Sequence, residues 1–207
     1  NDPKQALAAW KKVAEILRKQ PAAMDTDYMR MMACGQVVNF GWREGMGADE
    51  ARGWFEEAAG LATAHKNMRA NALIHAAYGR ILAATGSADE YAQKVREAQA
   101  IAGEASDGSL EVTLSAVLCQ ALRLSGRLPE ALAVNEAALD RIHELGKFER
   151  DMLGFDVEIW LLALRGRLEA LASELRVEVR LPGFVEGVAG RLKDFDLYVQ
   201  PSVGEGL

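Results

Sequence analysis

Aromatic residues make up only 7% of the 207 positions, and there are just two cysteines. Little aromatic content beside abundant alanine and leucine is the profile of close-packed helices. Basic residues are in deficit, with 24 Lys and Arg against 30 Asp and Glu and a formal net charge of −6. The longest basic run is Lys11-Lys12. Nucleic-acid binding needs a basic stripe, so no nucleic-acid partner is expected. No run of 18 apolar residues occurs, which excludes a membrane-spanning helix of ordinary kind. The chain has no glycine fingerprint after a strand, no Walker loop and no nucleophile elbow, so neither a cofactor nor catalysis is expected. Its first residues, Asn-Asp-Pro-Lys-Gln, lack the basic and apolar regions of a signal peptide. The missing initiator Met points to a piece cut from a longer chain.

What the sequence does have is a period. Gly86, Gly126 and Gly166 fall about 40 residues apart, and each opens a similar segment: Asp-Glu-Tyr-Ala (89–92), Pro-Glu-Ala-Leu (129–132) and Leu-Glu-Ala-Leu (168–171). One period earlier, Gly45 and Gly47 precede Asp-Glu-Ala (49–51). Glu-Ala-Ala (57–59), Glu-Ala-Gln (97–99) and Glu-Ala-Ala (136–138) recur at one place in the register. A fixed period of this size marks stacked helical pairs. The spacing predicts eight antiparallel helices over residues 1–166. The first starts at Asp2-Pro3 and runs to about Lys19, with Leu7, Trp10, Val13, Ala14 and Leu17 inward. Asp25 or Thr26 caps the second, and the third runs from Asp49 to about His65. The fourth follows Asn67 and ends at Gly86. A fifth and sixth cover 88–105 and 109–125, joined by Ser-Asp-Gly-Ser (106–109) with Ser109 as cap. Pro129 opens the seventh, which runs to Leu145, and the eighth covers about 148–165.

Candidate chemistry is sparse. Cys34 and Cys119 lie about two periods apart, too far for a disulfide in a stack that advances roughly 10 Å per pair, and both read as buried free thiols of a reducing compartment. His65 and His143 end equivalent first helices, where they suit the negative helix terminus better than a ligand role. His75 has no Cys or His partner at metal spacing. Asp49-Glu50, Glu56-Glu57 and Asp89-Glu90 read as acids complementing helix starts rather than acid–base pairs. Trp10, Trp42, Trp54 and Trp160 suit a core better than a groove.

The helical pattern, with Gly-Arg-Leu-Pro-Glu-Ala-Leu (126–132) as its most typical stretch, resembles the tetratricopeptide family. It looks most like the long, divergent repeats of bacterial signal-transduction ATPases and multidomain nucleotide cyclases. The resemblance implies a mainly α, right-handed superhelix of antiparallel helix pairs over 1–166. It also implies a non-catalytic binding or scaffold module of a cytoplasmic regulatory protein, with a protein segment or small ligand in the groove.

After Ser173 the pattern changes. Leu175 to Leu181 alternates apolar and charged residues, Val185 to Lys193 reads as a short helix, and Asp196 to Val199 as a second strand. Strand, helix and strand make a short βαβ segment within 167–207. Val-Arg-Leu-Pro-Gly-Phe-Val (179–185), Phe-Asp-Leu-Tyr-Val (195–199) and Pro-Ser-Val-Gly-Glu-Gly-Leu (201–207) resemble the nucleotide-sugar-binding domain of family 4 GT-B glycosyltransferases. That resemblance implies that Glu205 is the first glutamate of a donor-sugar loop whose second glutamate lies beyond Leu207. The alternative function is therefore a glycosyltransferase fragment, or a chimera of the two families, inactive as it stands. Two short strands leave an open edge, so 170–207 is expected to pair with a second copy in a homodimer or to stay mobile.

Overall fold

The computed structural model describes residues 2–21, 23–146 and 156–174. Among these the chain is helical: α1 (Pro3–Leu17), α2 (Met24–Gly41), α3 (Ala48–Ala64), α4 (Met68–Ala84), α5 (Ala88–Glu104), α6 (Gly108–Leu124), α7 (Leu128–Asp140) and α8 (Val157–Glu174). Single 3₁₀ turns follow α2 (Trp42–Glu44) and α7 (Ile142–Glu144). The expected strands near 175–181 and 196–200 lie outside the described residues, as do the other tail features.

From α3 to α7 the helices start every 20 residues, and α3 to α6 each contain 17. Each of those four closes with the same hydrogen bond. The amides of Asn67, Ser87, Asp107 and Arg127 donate to the carbonyls of Ala62, Leu82, Ala102 and Leu122, at 2.8, 2.9, 3.4 and 2.9 Å. The residue before each donor is left-handed: Lys66 (φ 53°), Gly86 (100°), Ser106 (51°) and Gly126 (74°). This six-to-one closure satisfies carbonyls that a helix end would otherwise orphan. Two of the next caps then start the following helix. Asn67 Oδ1 accepts from Ala70 N and Asp107 Oδ1 from Leu110 N, both at 3.0 Å. The connector is thus a stop and a start in three residues, short enough to force antiparallel neighbours.

Several expected boundaries move. The cap of α6 is Asp107, with Ser109 inside the first turn. Asp25 lies within α2, whose N-cap is Ala23. α7 ends at Asp140 rather than Leu145. α8 runs unbroken through Gly166, so the expected division between 166 and 167 falls inside a helix and Gly166 ends nothing. The stripe Leu161, Leu164 and Leu168, all buried, holds it in place.

Each helix packs on its sequence neighbours, and α2, α4, α6 and α8 also pack in succession on one another. Lys11 reaches Glu50 at 2.7 Å and Arg18 reaches Glu57 at 2.5 Å, both 39 residues on, so α1 and α3 run in the same direction. Small residues set the spacing. Ala58, Ala62, Ala92, Ala98 and Ala102 are fully or nearly fully buried, and Gly79 lets α5 sit close on α4. Phe55 stacks on Tyr78 with centroids 4.4 Å apart.

Candidate binding groove

Because alternate helices face the same side, the second helix of every pair contributes to one depression. Its floor is apolar, formed by Met31 of α2, Leu73 and Ile74 of α4, Val117 of α6 and Trp160 of α8. Tyr28, Gln36 and Asn39 of α2, Arg69 and Arg80 of α4 and Thr113 of α6 supply its polar groups. The groove has a volume of about 250 Å³. Beside it α2 exposes Met24 (76% accessible) and Tyr28 (52%), with Met32 on the groove and Met68 next to Met24 in the adjoining depression. Large apolar side chains at that exposure are uncommon as a cluster, and methionine adapts to irregular partners.

The charge around the groove is one-sided. Among the described residues no Asp or Glu lines it, although acids outnumber bases in the chain. The acids crowd the first helices instead: Asp49, Glu50, Glu56 and Glu57 on α3, Asp89, Glu90, Glu97 and Glu104 on α5. α4 carries Arg69 and Arg80 and no acid. Arg69 pairs with Asp107, the cap of α6. This contact belongs to a series in which the start of a second helix reaches the end of the next first helix. Asp27 Oδ2 lies 3.4 Å from His65 Nε2, and Gly146 N donates to Ser109 Oγ at 3.0 Å.

The candidate residues from sequence scatter. His65 caps the end of α3 and meets Asp27, whereas His143 is exposed in the turn after α7. His75 is half-buried with Phe55 edge-on at 4.9 Å, and its Nδ1 is 3.3 Å from Glu97 Oε2 without a hydrogen-bonding angle. Burial pushes its imidazole below the ordinary value, the Lys94 ammonium adds to this, and Glu97 opposes it. Among the described residues no three His, Cys, Asp or Glu side chains gather at metal-binding distance. Glu57 is occupied by Arg18 and Arg30, and Asp49 by Arg52. Trp10 and Trp54 pack with the core, and Trp42 sits beneath Arg43 at the turn after α2. Trp160 alone of the four lines the groove. Cys34 and Cys119 are buried and unpaired, their thiols pushed up by burial to about 12 and about 11. Glu205 lies outside the described residues.

Sequence reading missed Gln36, Arg69 and Arg80. One signal was available: Gln36, Arg80 and Gln120 are each the thirteenth residue of their helix, a repeated polar place among apolar neighbours. The chain matches no family model, no curated protein and no solved structure. No described helix is long and apolar enough to cross a membrane.

Proposed function

We propose that this chain is a non-catalytic binding module, a tetratricopeptide-like right-handed superhelix whose groove receives a segment of another protein within a regulatory assembly. The observation that carries this reading is the groove itself, a single apolar floor fed by all four second helices. Its volume of about 250 Å³ is below the roughly 300–1,000 Å³ of pockets that enclose drug-sized ligands. A site that small and open suits anchor side chains of a passing polypeptide better than an engulfed small molecule. The exposed methionines extend the apolar surface beyond the floor, as a longer ligand requires.

The test is selection of a displayed library of random 12-residue peptides on the intact chain, followed by hydrogen-exchange mapping with a selected synthetic peptide. Protection is expected on α2, α4 and α6, and the double substitution Tyr28→Ala, Met32→Gln should weaken binding at least tenfold. Protection confined to α1, α3 and α5 would refute the reading.

A further inference from the structure

Arg80 is half-buried in the groove, and no carboxylate lies within ion-pair distance of it among the described residues. The hydroxyl of Tyr91 on α5 interacts with it. Arginines elsewhere are treated differently. Arg18 and Arg30 share Glu57, Arg96 takes Glu130 at 2.5 Å, and Arg141 takes Glu111 and Glu144, both at 2.8 Å. Removing a guanidinium from water without a counter-charge is costly, and the fold offsets that cost at most sites but not at Arg80.

The neighbourhood reinforces the imbalance. Beside Arg80, α2 places the amides of Gln36 and Asn39 in the same groove. Farther along α6 the half-buried Arg123 donates from Nε to Gln120 Oε1 at 3.3 Å. Burial and the guanidinium of Arg167 on α8 both disfavour its charge. Arg69 and Arg80 are the only charged side chains among the described residues that line the groove, and neither α4 nor the stretch of α6 from Val112 to Leu124 carries an acid. A field of one sign beside an apolar floor selects a ligand of opposite sign with apolar anchors.

We propose that the groove discriminates for polypeptide segments that set an Asp or Glu side chain on Arg80 between apolar anchors. This rests on the protein-segment reading above and names the chemistry of the segment. A carboxylate meeting a guanidinium in a fork of two parallel hydrogen bonds gives direction as well as affinity, and the Gln36 amide can donate to its outer lone pairs.

The same peptide selection tests it, read by composition and then by a double-mutant cycle. Selected peptides should be enriched in Asp or Glu flanked by apolar residues. For one such synthetic peptide, changing its Glu to Gln should weaken binding about tenfold on the native chain and less than twofold on Arg80→Gln. Arg80→Lys keeps the charge but not the fork and should fall between, and circular dichroism should show both variants folded. If the Arg80→Gln chain is unfolded, the comparison is read on Arg80→Lys alone, where a Glu-to-Gln loss equal to the native one overturns the proposal. Peptides that bind the groove without acid enrichment, or a Glu-to-Gln loss unchanged on Arg80→Gln, overturn it while leaving the segment-binding reading standing. Failure to select any peptide removes both.

Discussion

Gly79 on α4 faces Tyr91 on α5 so closely that a Cβ at position 79 would lie 2.6 Å from Tyr91 Cδ2 and 3.2 Å from Lys94 Cβ. Tyr91 is almost fully buried and cannot swing away without opening the core. Gly79→Ala should therefore destabilise. Overpacking costs about 1–3 kcal/mol, against which the helix preference of alanine returns about 1 kcal/mol. A net loss of up to about 2 kcal/mol is expected in urea unfolding. Gly60→Ala is the control, since its Cβ meets nothing within 4 Å, and it should stabilise α3 by up to about 1 kcal/mol. Equal effects at the two glycines would contradict the close approach.

Lys66 and Ser106 hold left-handed backbone in the same closure that Gly86 and Gly126 fill with glycine. A side chain there costs about 1–2 kcal/mol, while glycine loses about 0.5–1 kcal/mol more entropy on folding than other residues do. Lys66→Gly and Ser106→Gly should each stabilise by about 0.5 kcal/mol, and Gly86→Ala should destabilise by about 1 kcal/mol. Thermal melts read the sign directly, and a lower Tm for both glycine variants would count against the assignment.

The imidazole of His75 is depressed in the fold, chiefly by burial and then by Lys94. The unfolded chain therefore takes up the proton first as pH falls through about 6.5, the ordinary value, so acid favours unfolding. Stability should be full above that pH and decline below it toward the depressed folded value. Glu97, itself held below its ordinary value by Lys94 and His75, adds a separate loss only at lower pH. Melts of native chain and His75→Gln between pH 7.5 and 5 should show a steeper decline for the native chain. Parallel declines would show that His75 does not carry the effect.

Cys34 and Cys119 offer a reading at the alkaline end. Folding keeps both protonated, to about 12 and about 11, against an ordinary value of 9.0. Above pH 9 the unfolded chain releases protons that the folded chain retains, so stability should fall as pH rises toward 11. At pH 8 a thiol-specific disulfide reagent should label neither cysteine in the native chain and both in denaturant. Rapid native labelling of Cys34 would contradict its burial.

The 40-residue period was legible because Gly86 and Gly126 carry it and acid-Ala pairs repeat it. The 20-residue period beneath it was hidden, since Lys66 and Ser106 take left-handed positions for which glycine is a convenience and not a requirement. Ser109 and Asp107 are both capable caps two residues apart, and only the six-to-one closure at Asp107 decides between them. Gly166 misled for the opposite reason: a glycine before Arg-Leu-Glu-Ala-Leu reads as a stop, yet the leucine stripe of α8 overrides it. The groove was less legible than the fold. Gln36 and Arg80 are single polar residues some forty positions apart, with no local motif between them. They become a site only when the helices are placed in register.

α4 alone among the described helices puts side chains into both halves of the core. Ala77, Tyr78 and Ile81 pack with α1 to α3, and Ala72 and Ala76 pack with α5 to α8. The molecule is in that sense two springs clamped to one rod, and the groove runs across the clamp. Pulled from its ends, such a chain should yield in two steps, with α4 released by whichever half gives way last. A segment lying in the groove would tie the springs together, so occupancy should register as a single, stiffer extension.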